Sequence, residues 1–324
     1  MPNSILFISK GGQSSSTRYR ALQYFPYFIA AGWQPKHITI SGGLIPVLRV
    51  LIAARKADIV VLLRKTFPYP IFWMLRRLSK KLIFDFDDAI FCNSDGSYSK
   101  TRMRRFKTTV SNCDYILAGN EYLATEAGKH NPAVAVIRTS VDTEKYALRC
   151  QKNSGNLGLV WIGSSSTRKY LEEVIPFLED AARAVPSLQL NVIADFELTS
   201  NTLTIKNIPW SEQSEATELC IADIGIAPMP ENNWTKGKCA LKVLQYMAAG
   251  LPVLSSQSGV NAYVVENGVS GYLVSENSQW AKLIVQMNKD KAAMEQMGEC
   301  GRNRVQSEFS IDVVFRKLMA IVTR

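Results

Sequence analysis

Along the chain, short apolar runs rich in β-branched residues alternate with stretches whose apolar positions recur every three to four residues. The first pattern predicts strands and the second amphipathic helices. Strands are expected at Ser4–Ser9, Ile38–Ile40, Ile59–Leu63, Leu82–Phe86, Tyr115–Ala118 and Val134–Ile137, and again at Leu157–Ile162, Leu188–Ile193, Ile224–Ala227 and Pro252–Ser255. Helices are expected between them, notably Thr17–Ala31, Ile45–Ala54, Ile71–Ser79, Tyr98–Ser111 and Glu121–Lys129 in the first series. The second series has Lys169–Val185, Ser211–Cys220, Lys238–Ala249, Tyr263–Glu266 and Gln279–Met287. Strands and helices in strict alternation specify an α/β fold with parallel sheets. The polar stretch Asp142–Asn156, with Gln151 to Gly155 at its centre, separates the two series and reads as a linker. Two Rossmann-like domains are therefore expected, 1–150 and 151–305, facing each other across a cleft, with a last helix in 306–324 packing back on the first. In such sheets ligands bind beyond the carboxyl ends of the strands.

Composition narrows the class. Of 324 residues, 47% are hydrophobic and 20% charged, which suits packed globular domains and excludes a disordered chain. No apolar run approaches the roughly 20 residues that span a bilayer, and the best candidate, Leu44–Ala54, carries Arg49 in its middle. Ile5–Ser9 runs at once into Gly11 and Gly12, which is not a signal-peptide pattern. Six cysteines without a C-x-x-C pair, beside only two histidines, argue against a zinc site or a disulfide framework. A cytoplasmic location is expected. The net charge of +10 is uneven: residues 1–150 hold 22 Lys and Arg against 10 Asp and Glu, and the rest hold 16 against 18. Either the first half meets something anionic, or it has a solvated basic face.

The most informative stretch runs from Ala227-Pro228-Met229-Pro230 to Gly237-Lys238 and on through Gln245-Tyr246-Met247-Ala248-Ala249-Gly250-Leu251-Pro252-Val253. A strand ends in a Pro-rich loop, and a Gly-Lys pair then opens a helix that Gly250 stops. A helix N-terminus beside Lys238 is an anion site suited to a diphosphate. The run from Gln245 resembles the E-A-M-A-x-G-x-P-V signature of the retaining GT-B glycosyltransferases of family 4, the E-x7-E type. Glu266 to Val274 resembles the usual continuation, and Cys113-Asp114-Tyr115-Ile116 and Thr139-Ser140-Val141-Asp142 resemble elements of the first domain. Val160-Trp161-Ile162-Gly163 followed by Lys169 resembles the strand-Gly-x5-Lys element, whose lysine is implied to contact the donor diphosphate.

The resemblance implies the GT-B fold, a UDP- or GDP-linked sugar donor in the second domain, and a glycan or lipid-linked acceptor in the first. No metal or other cofactor is implied. It also exposes departures. The second motif glutamate, which holds the donor ribose, is Gln245, and the first falls at Gly237; Glu231 in the preceding loop is the candidate replacement. A glutamine amide still hydrogen-bonds a hydroxyl. Lys242, one turn from Lys238, is either a donor contact or a solvent-facing helix lysine. Ser164 and Ser165, in the loop to Thr167, offer hydroxyls to diphosphate oxygens.

In the first half, Asp85, Asp87 and Asp88 crowd the end of one strand. Basic neighbours, a metal or protonation must stabilise them, and Asp85 or Asp88 is otherwise a helix cap or a partner of Arg102 or Arg105. Asp87 or Asp88 is the candidate that orients or deprotonates the acceptor hydroxyl. The loop Lys10–Arg20 follows the first strand; Gly11 and Gly12 allow close backbone approach, Thr17 is a candidate cap, and Arg18 and Arg20 are candidates either for the acceptor phosphate or the donor's far end, or for a salt-bridged helix start. Pro68–Leu82 mixes aromatics with four cations. With Arg102, Arg104, Arg105 and Lys107 it suggests peripheral contact with an anionic membrane, although core packing explains most such stripes. No nucleic-acid-binding motif is present. Two other readings stay open: an inactive sugar-nucleotide-binding partner subunit, and a basic α/β protein that binds anionic surfaces.

Overall fold

The computed structural model describes residues 3–12, 14–40, 44–146 and 155–324. Gln13, Cys150, most of the expected linker and the expected 150/151 boundary lie outside the described residues. The chain divides into two compact units, one of Met1–Ser140, Asn232–Cys239 and Ile311–Arg324, the other of Val141–Glu231 and Ala240–Ser310. The segment Asn232–Cys239, read from sequence as part of the second domain, thus belongs to the first unit.

In the first unit, β1 (Ser4–Ser9), β2 (Gln34–Thr39), β3 (Ile59–Leu63), β4 (Lys81–Phe86), β5 (Tyr115–Ala118) and β6 (Val134–Val136) form a parallel sheet in the order β2-β1-β3-β4-β5-β6. The strand period of two sorts side chains to opposite faces. Leu6 and Ile8 of β1 join the core under helices Leu44–Lys56, Tyr69–Leu78 and Lys100–Asn112. Ile5 and Phe7 face the other core, which contains Tyr24, Phe28 and the helix Ile311–Val322. Phe315 of that last helix stands edge-on to Phe28 with ring centroids 5.0 Å apart. Lys81 donates to the Val322 carbonyl at 3.0 Å, meeting an unpaired acceptor at the helix end.

In the second unit, β7 (Leu157–Ile162), β8 (Leu188–Ala194), β9 (Thr204–Pro209), β10 (Ile224–Ala227), β11 (Val253–Ser256) and β12 (Gly271–Val274) are again parallel, in the order β12-β11-β10-β7-β8-β9. Renumbered from its own first strand, this is the 3-2-1-4-5-6 order of the dinucleotide-binding Rossmann fold. Trp161 and Trp280 are fully buried in its core.

Several expected elements differ in ways that proline explains. Thr17–Ala31 is not one helix: it breaks into Ser15–Arg20 and Phe25–Ala30, the second with Pro26 in its first turn. Lys169–Val185 breaks likewise into Arg168–Glu172 and Ile175–Ala184, with Pro176 at the restart. Proline has no N–H for an interior helical bond but fits a first turn. Gly250 stops its helix as expected. It sits at φ 74°, its N–H bonds to Met247 O at 3.0 Å, and Leu251 N–H bonds to Tyr246 O at 2.9 Å, the paired closure of a Schellman motif. Cys92, Cys113, Cys239 and Cys300 are free thiols, whereas Cys220 is disulfide-bonded, a single bond where the cysteine spacing argued against a disulfide framework.

Alanine at Gly250 forces a Cβ into the left-handed region. Gly250→Ala is therefore expected to lower unfolding stability by about 1–2 kcal/mol, read from the midpoint of a urea transition; an unchanged midpoint contradicts this.

Candidate functional site

The strand order reverses between β1 and β3 in the first unit and between β7 and β10 in the second. Each reversal leaves a crevice at the carboxyl ends of the strands, where open α/β sheets bind ligands.

At the first crevice, the acidic row after β4 dominates. Asp85 points to the same face as Ile83 and meets Arg20 in a two-pronged pair, Nε to Oδ1 at 2.5 Å and Nη2 to Oδ2 at 2.8 Å. Arg20 also donates to the Ile137 carbonyl at 2.9 Å and is only 4% exposed. Its fork is fully committed, so of the two readings open for Arg20 the structure shows the salt-bridged one and not the phosphate ligand. Burial pushes the Asp85 carboxyl up, and the charge and hydrogen bonds of Arg20 oppose that. Asp88 takes Arg64 on one oxygen and Lys238 Nζ, at 2.9 Å, on the other. Asp87 Oδ1 lies 3.4 Å from Arg64 Nε; this oxygen is buried and, among the described residues, accepts no hydrogen bond. The neutralising cations are thus Arg20, Arg64 and Lys238, not Arg102 or Arg105.

Arg64 was not singled out by sequence. It follows β3 directly, holds φ 51°, and donates from its backbone to Asp85 O at 2.8 Å and from Nη1 to Ser16 Oγ at 2.6 Å. Burial works to lower its guanidinium, and the charges of Asp87 and Asp88 outweigh that. A cation immediately after a buried strand was the available signal. Lys238 is not at a helix start: Thr235–Gly237 is a single 3₁₀ turn and the following helix is Leu241–Ala248. Asn120 holds this segment, donating to the carbonyls of Lys236 at 3.2 Å and Lys238 at 3.1 Å. A Cβ on Gly237 would stand 2.5 Å from Ala89 N. A side chain of any kind, the first motif glutamate included, is therefore shut out there.

The loop after β1 has its own fixed points. Ser9 Oγ lies 2.8 Å from His37 Nε2 and accepts from Gly11 N at 3.2 Å. Gly12 lies beside the same ring, with its Cβ direction 3.8 Å from His37 Cε1. Ser14, not Thr17, caps the helix that follows. Arg18 lays its guanidinium 5.2 Å from the Tyr19 ring centre.

At the second crevice, Tyr246 plugs the gap between the diverging strands. Its hydroxyl accepts from Ile162 N at 2.9 Å and donates to Ile226 O at 3.2 Å. Beyond it, the Trp161 ring turns across Gly163, where an added Cβ would meet it at 2.3 Å. Lys242 rests its ammonium 4.2 Å from the centre of that ring, a close cation–π contact. Lys169 is exposed, 5.3 Å from Tyr170. The helix Leu241–Ala248 starts without a side-chain cap, and the first amides of a helix have no partner within it.

Three expected donor ligands are differently placed. Ser165 gives both its amide (2.7 Å) and its hydroxyl (2.6 Å) to Asp195, so neither is open to a phosphate. Those bonds hold the Asp195 carboxyl below its ordinary range. Ser164 shares its hydroxyl with Ser166 at 2.8 Å. Gln245 is 4% exposed and donates to Tyr146 Oη at 2.9 Å, while Tyr146 donates to Glu215. Lys145, at 2.6 Å, and Trp210 complete this buried knot and hold Glu215 below its ordinary range despite burial. Glu231 lies exposed in the Pro-rich loop, which Ser256 and Ser258 anchor through Met229 N and Pro230 O. Among the described residues, no group of three or more His, Cys, Asp or Glu side chains is placed to hold a metal ion.

Known structures share this double architecture. A glycosyltransferase from Rickettsia africae ESF-5 superposes with a TM-score of 0.76 over 99% of this chain and 97% of its own, at 13% identity. Sucrose-phosphate synthase from Thermosynechococcus elongatus gives 0.73 over 98% and 99%, at 15% identity. Anabaena HepE, solved in complex with UDP and glucose, gives 0.73 over 99% of both chains, at 13% identity. The fold is that of the GT-B glycosyltransferases. Within this GT-B chain, residues 147–290 match the family described as Glycosyl transferases group 1. Spore coat protein SA of Bacillus subtilis (strain 168) is 33% identical over 78 residues, which are 23% of this chain and 21% of that protein. The match therefore spans about a fifth of that relative's length.

Arg20→Met is expected to cost roughly 3–5 kcal/mol, because it strands Asp85 as a buried charge. Arg20→Met combined with Asp85→Leu should recover most of the loss. Guanidinium unfolding of the three proteins checks this, and a single variant within about 1 kcal/mol of wild type contradicts the pairing.

Proposed function

We propose that the protein is a glycosyltransferase that moves a glycosyl unit from a nucleoside diphosphate sugar, first among them a UDP-sugar, to a hydroxyl of a glycan or lipid-linked acceptor. The reading is carried by the second unit's crevice. There Gly163, the Lys242 ammonium over Trp161 and the uncapped helix start at Leu241 all fall inside the stretch that matches the Glycosyl transferases group 1 family. The neighbour bound to UDP and glucose supports the choice of nucleotide.

In the proposed reaction the bond between the sugar C1 and the terminal phosphate oxygen breaks, and its electron pair leaves with the diphosphate. Lys242, Lys169 and the first amides of helix Leu241–Ala248 stabilise that charge, without a metal. The acceptor oxygen forms the new bond to C1. Asp87, whose Oδ1 is buried and accepts no hydrogen bond among the described residues, is assigned to orient the acceptor hydroxyl and take its proton. Lys238 and Arg64 hold Asp88 rather than the donor. Gln245 anchors Tyr146, so no ribose contact is assigned to it. Retention of configuration is proposed from the resemblance to family 4. A place in bacterial surface-polysaccharide synthesis and a cytoplasmic location complete the reading.

One observation favours a second reading. Gly237 has no room for a side chain, so the carboxylate that the family 4 motif puts there has no counterpart. A sugar-nucleotide-binding subunit without turnover remains the alternative.

Nucleotide release from UDP- and GDP-sugars, with and without a glycan acceptor, separates the two. Turnover is expected with one donor, and Lys242→Ala and Asp87→Asn should each lower kcat by roughly 10²–10³-fold while the unfolding midpoint stays unchanged. Donor binding with no release by the wild-type protein establishes the second reading instead. Unaltered kcat in both variants removes their assigned roles.

A further inference from the structure

Among the described residues, eleven large apolar side chains are exposed, and six of them sit on two helices of the first unit. Ile45, Leu48 and Ile52 line the outer side of Leu44–Lys56 at helical spacing, Ile45 being 66% and Ile52 60% exposed. Tyr69, Trp73 and Met74 line the outer side of Tyr69–Leu78, with the Trp73 indole donating to Tyr69 Oη at 2.6 Å. The two helices pack against each other, and the second packs against Lys100–Asn112. Val50, Leu51, Phe72, Leu75, Phe106 and Val110, on their inner sides, all enter one core. The outer sides therefore form one continuous layer.

The same layer is basic throughout. The three helices hold ten Lys and Arg and no Asp or Glu, as many cations as the net charge of the whole chain. Arg76 is paired, with Asp114 at 2.8 Å, but Arg49, Arg77, Arg104 and Arg105 are exposed.

We propose that this three-helix face docks on an anionic phospholipid surface. Charge complementarity requires a negative partner, and the apolar residues decide which one. A nucleic acid would engage the cations and leave Ile45, Leu48 and Ile52 in water. A bilayer interface uses both sets, aliphatic side chains entering the acyl boundary, Tyr69 and Trp73 at the headgroups and the cations against lipid phosphates. No described helix is long and apolar enough to cross a membrane, so the contact is peripheral. The inference does not rest on the transferase reading, since binding is measured without nucleotide.

Co-sedimentation of the full chain with vesicles tests it. Vesicles of phosphatidylcholine with about a third phosphatidylglycerol should bind the protein, pure phosphatidylcholine vesicles should not, and high salt should weaken the binding. All substituted side chains are exposed, so folding is preserved and checked by the thermal midpoint. Ile45→Ser with Leu48→Ser and Ile52→Ser should weaken binding about tenfold or more. Arg104→Glu with Arg105→Glu should do the same, at roughly fivefold per cation. Absence of binding to the anionic vesicles overturns the proposal, as does a triple serine variant that binds them like wild type. It is also overturned if random-sequence RNA displaces the vesicles and the serine variant binds that RNA unchanged, because the face is then a site for polyanions in general.

Discussion

Three carboxylates within four residues at the end of β4 must be neutralised where the sheet is buried and solvent cannot screen them. The first unit is arranged around that constraint. Asp85 draws Arg20 inward from the helix after β1. Asp88 draws Arg64, which accepts a left-handed backbone to remain at the end of β3. It also draws Lys238 from a segment remote in sequence, which Asn120 and the close contact of Gly237 with Ala89 fasten to this unit. The assignment of Asn232–Cys239 to the first unit is thus a consequence of charge as much as of packing. Asp87 is the member of the row with one oxygen that accepts no hydrogen bond among the described residues.

The second unit solves a different problem. Where β7 and β10 diverge, backbone groups at their ends would be left without partners. The Tyr246 hydroxyl serves both at once, and Gly225 makes room for its ring. The tyrosine side chain thereby fixes the floor on which Trp161, Gly163 and Lys242 stand. The buried Gln245–Tyr146–Glu215 knot is set into the same helix one residue earlier, which holds the Gln245 side chain in the interior.

Much of this was legible in the sequence. Both parallel sheets and the buried strands β1, β3, β5, β7 and β10 were visible because continuous apolar runs mark strands covered on both faces. The edge strand β6 was also expected and β2 only in its last part, but the edge strands β9 and β12 were not. β9 has only Ile205 and Ile208 facing inward among polar residues, β12 is four residues long, and β2 starts at Gln34-Pro35, before its apolar part. An edge strand needs little apolar surface and tolerates proline. In the site, Asp85, Asp87, Asp88, Gly163, Lys238 and Lys242 were recognisable as candidates from residue type and position. Their partners were not, because Arg20–Asp85 and Lys238–Asp88 join residues that only the tertiary fold brings together. Arg20 and Ser165 look like anion ligands in sequence and are committed to neighbouring aspartates in the structure.

The central claim is that the crevice of the second unit holds a nucleoside diphosphate. Calorimetric titration of the purified chain with UDP, and with GDP as comparison, tests it most directly. The account predicts saturable, one-to-one binding of one diphosphate, weakened by Lys242→Ala and unaffected by Asp87→Asn. Absence of heat with either nucleotide, or binding that Lys242→Ala leaves intact, contradicts it.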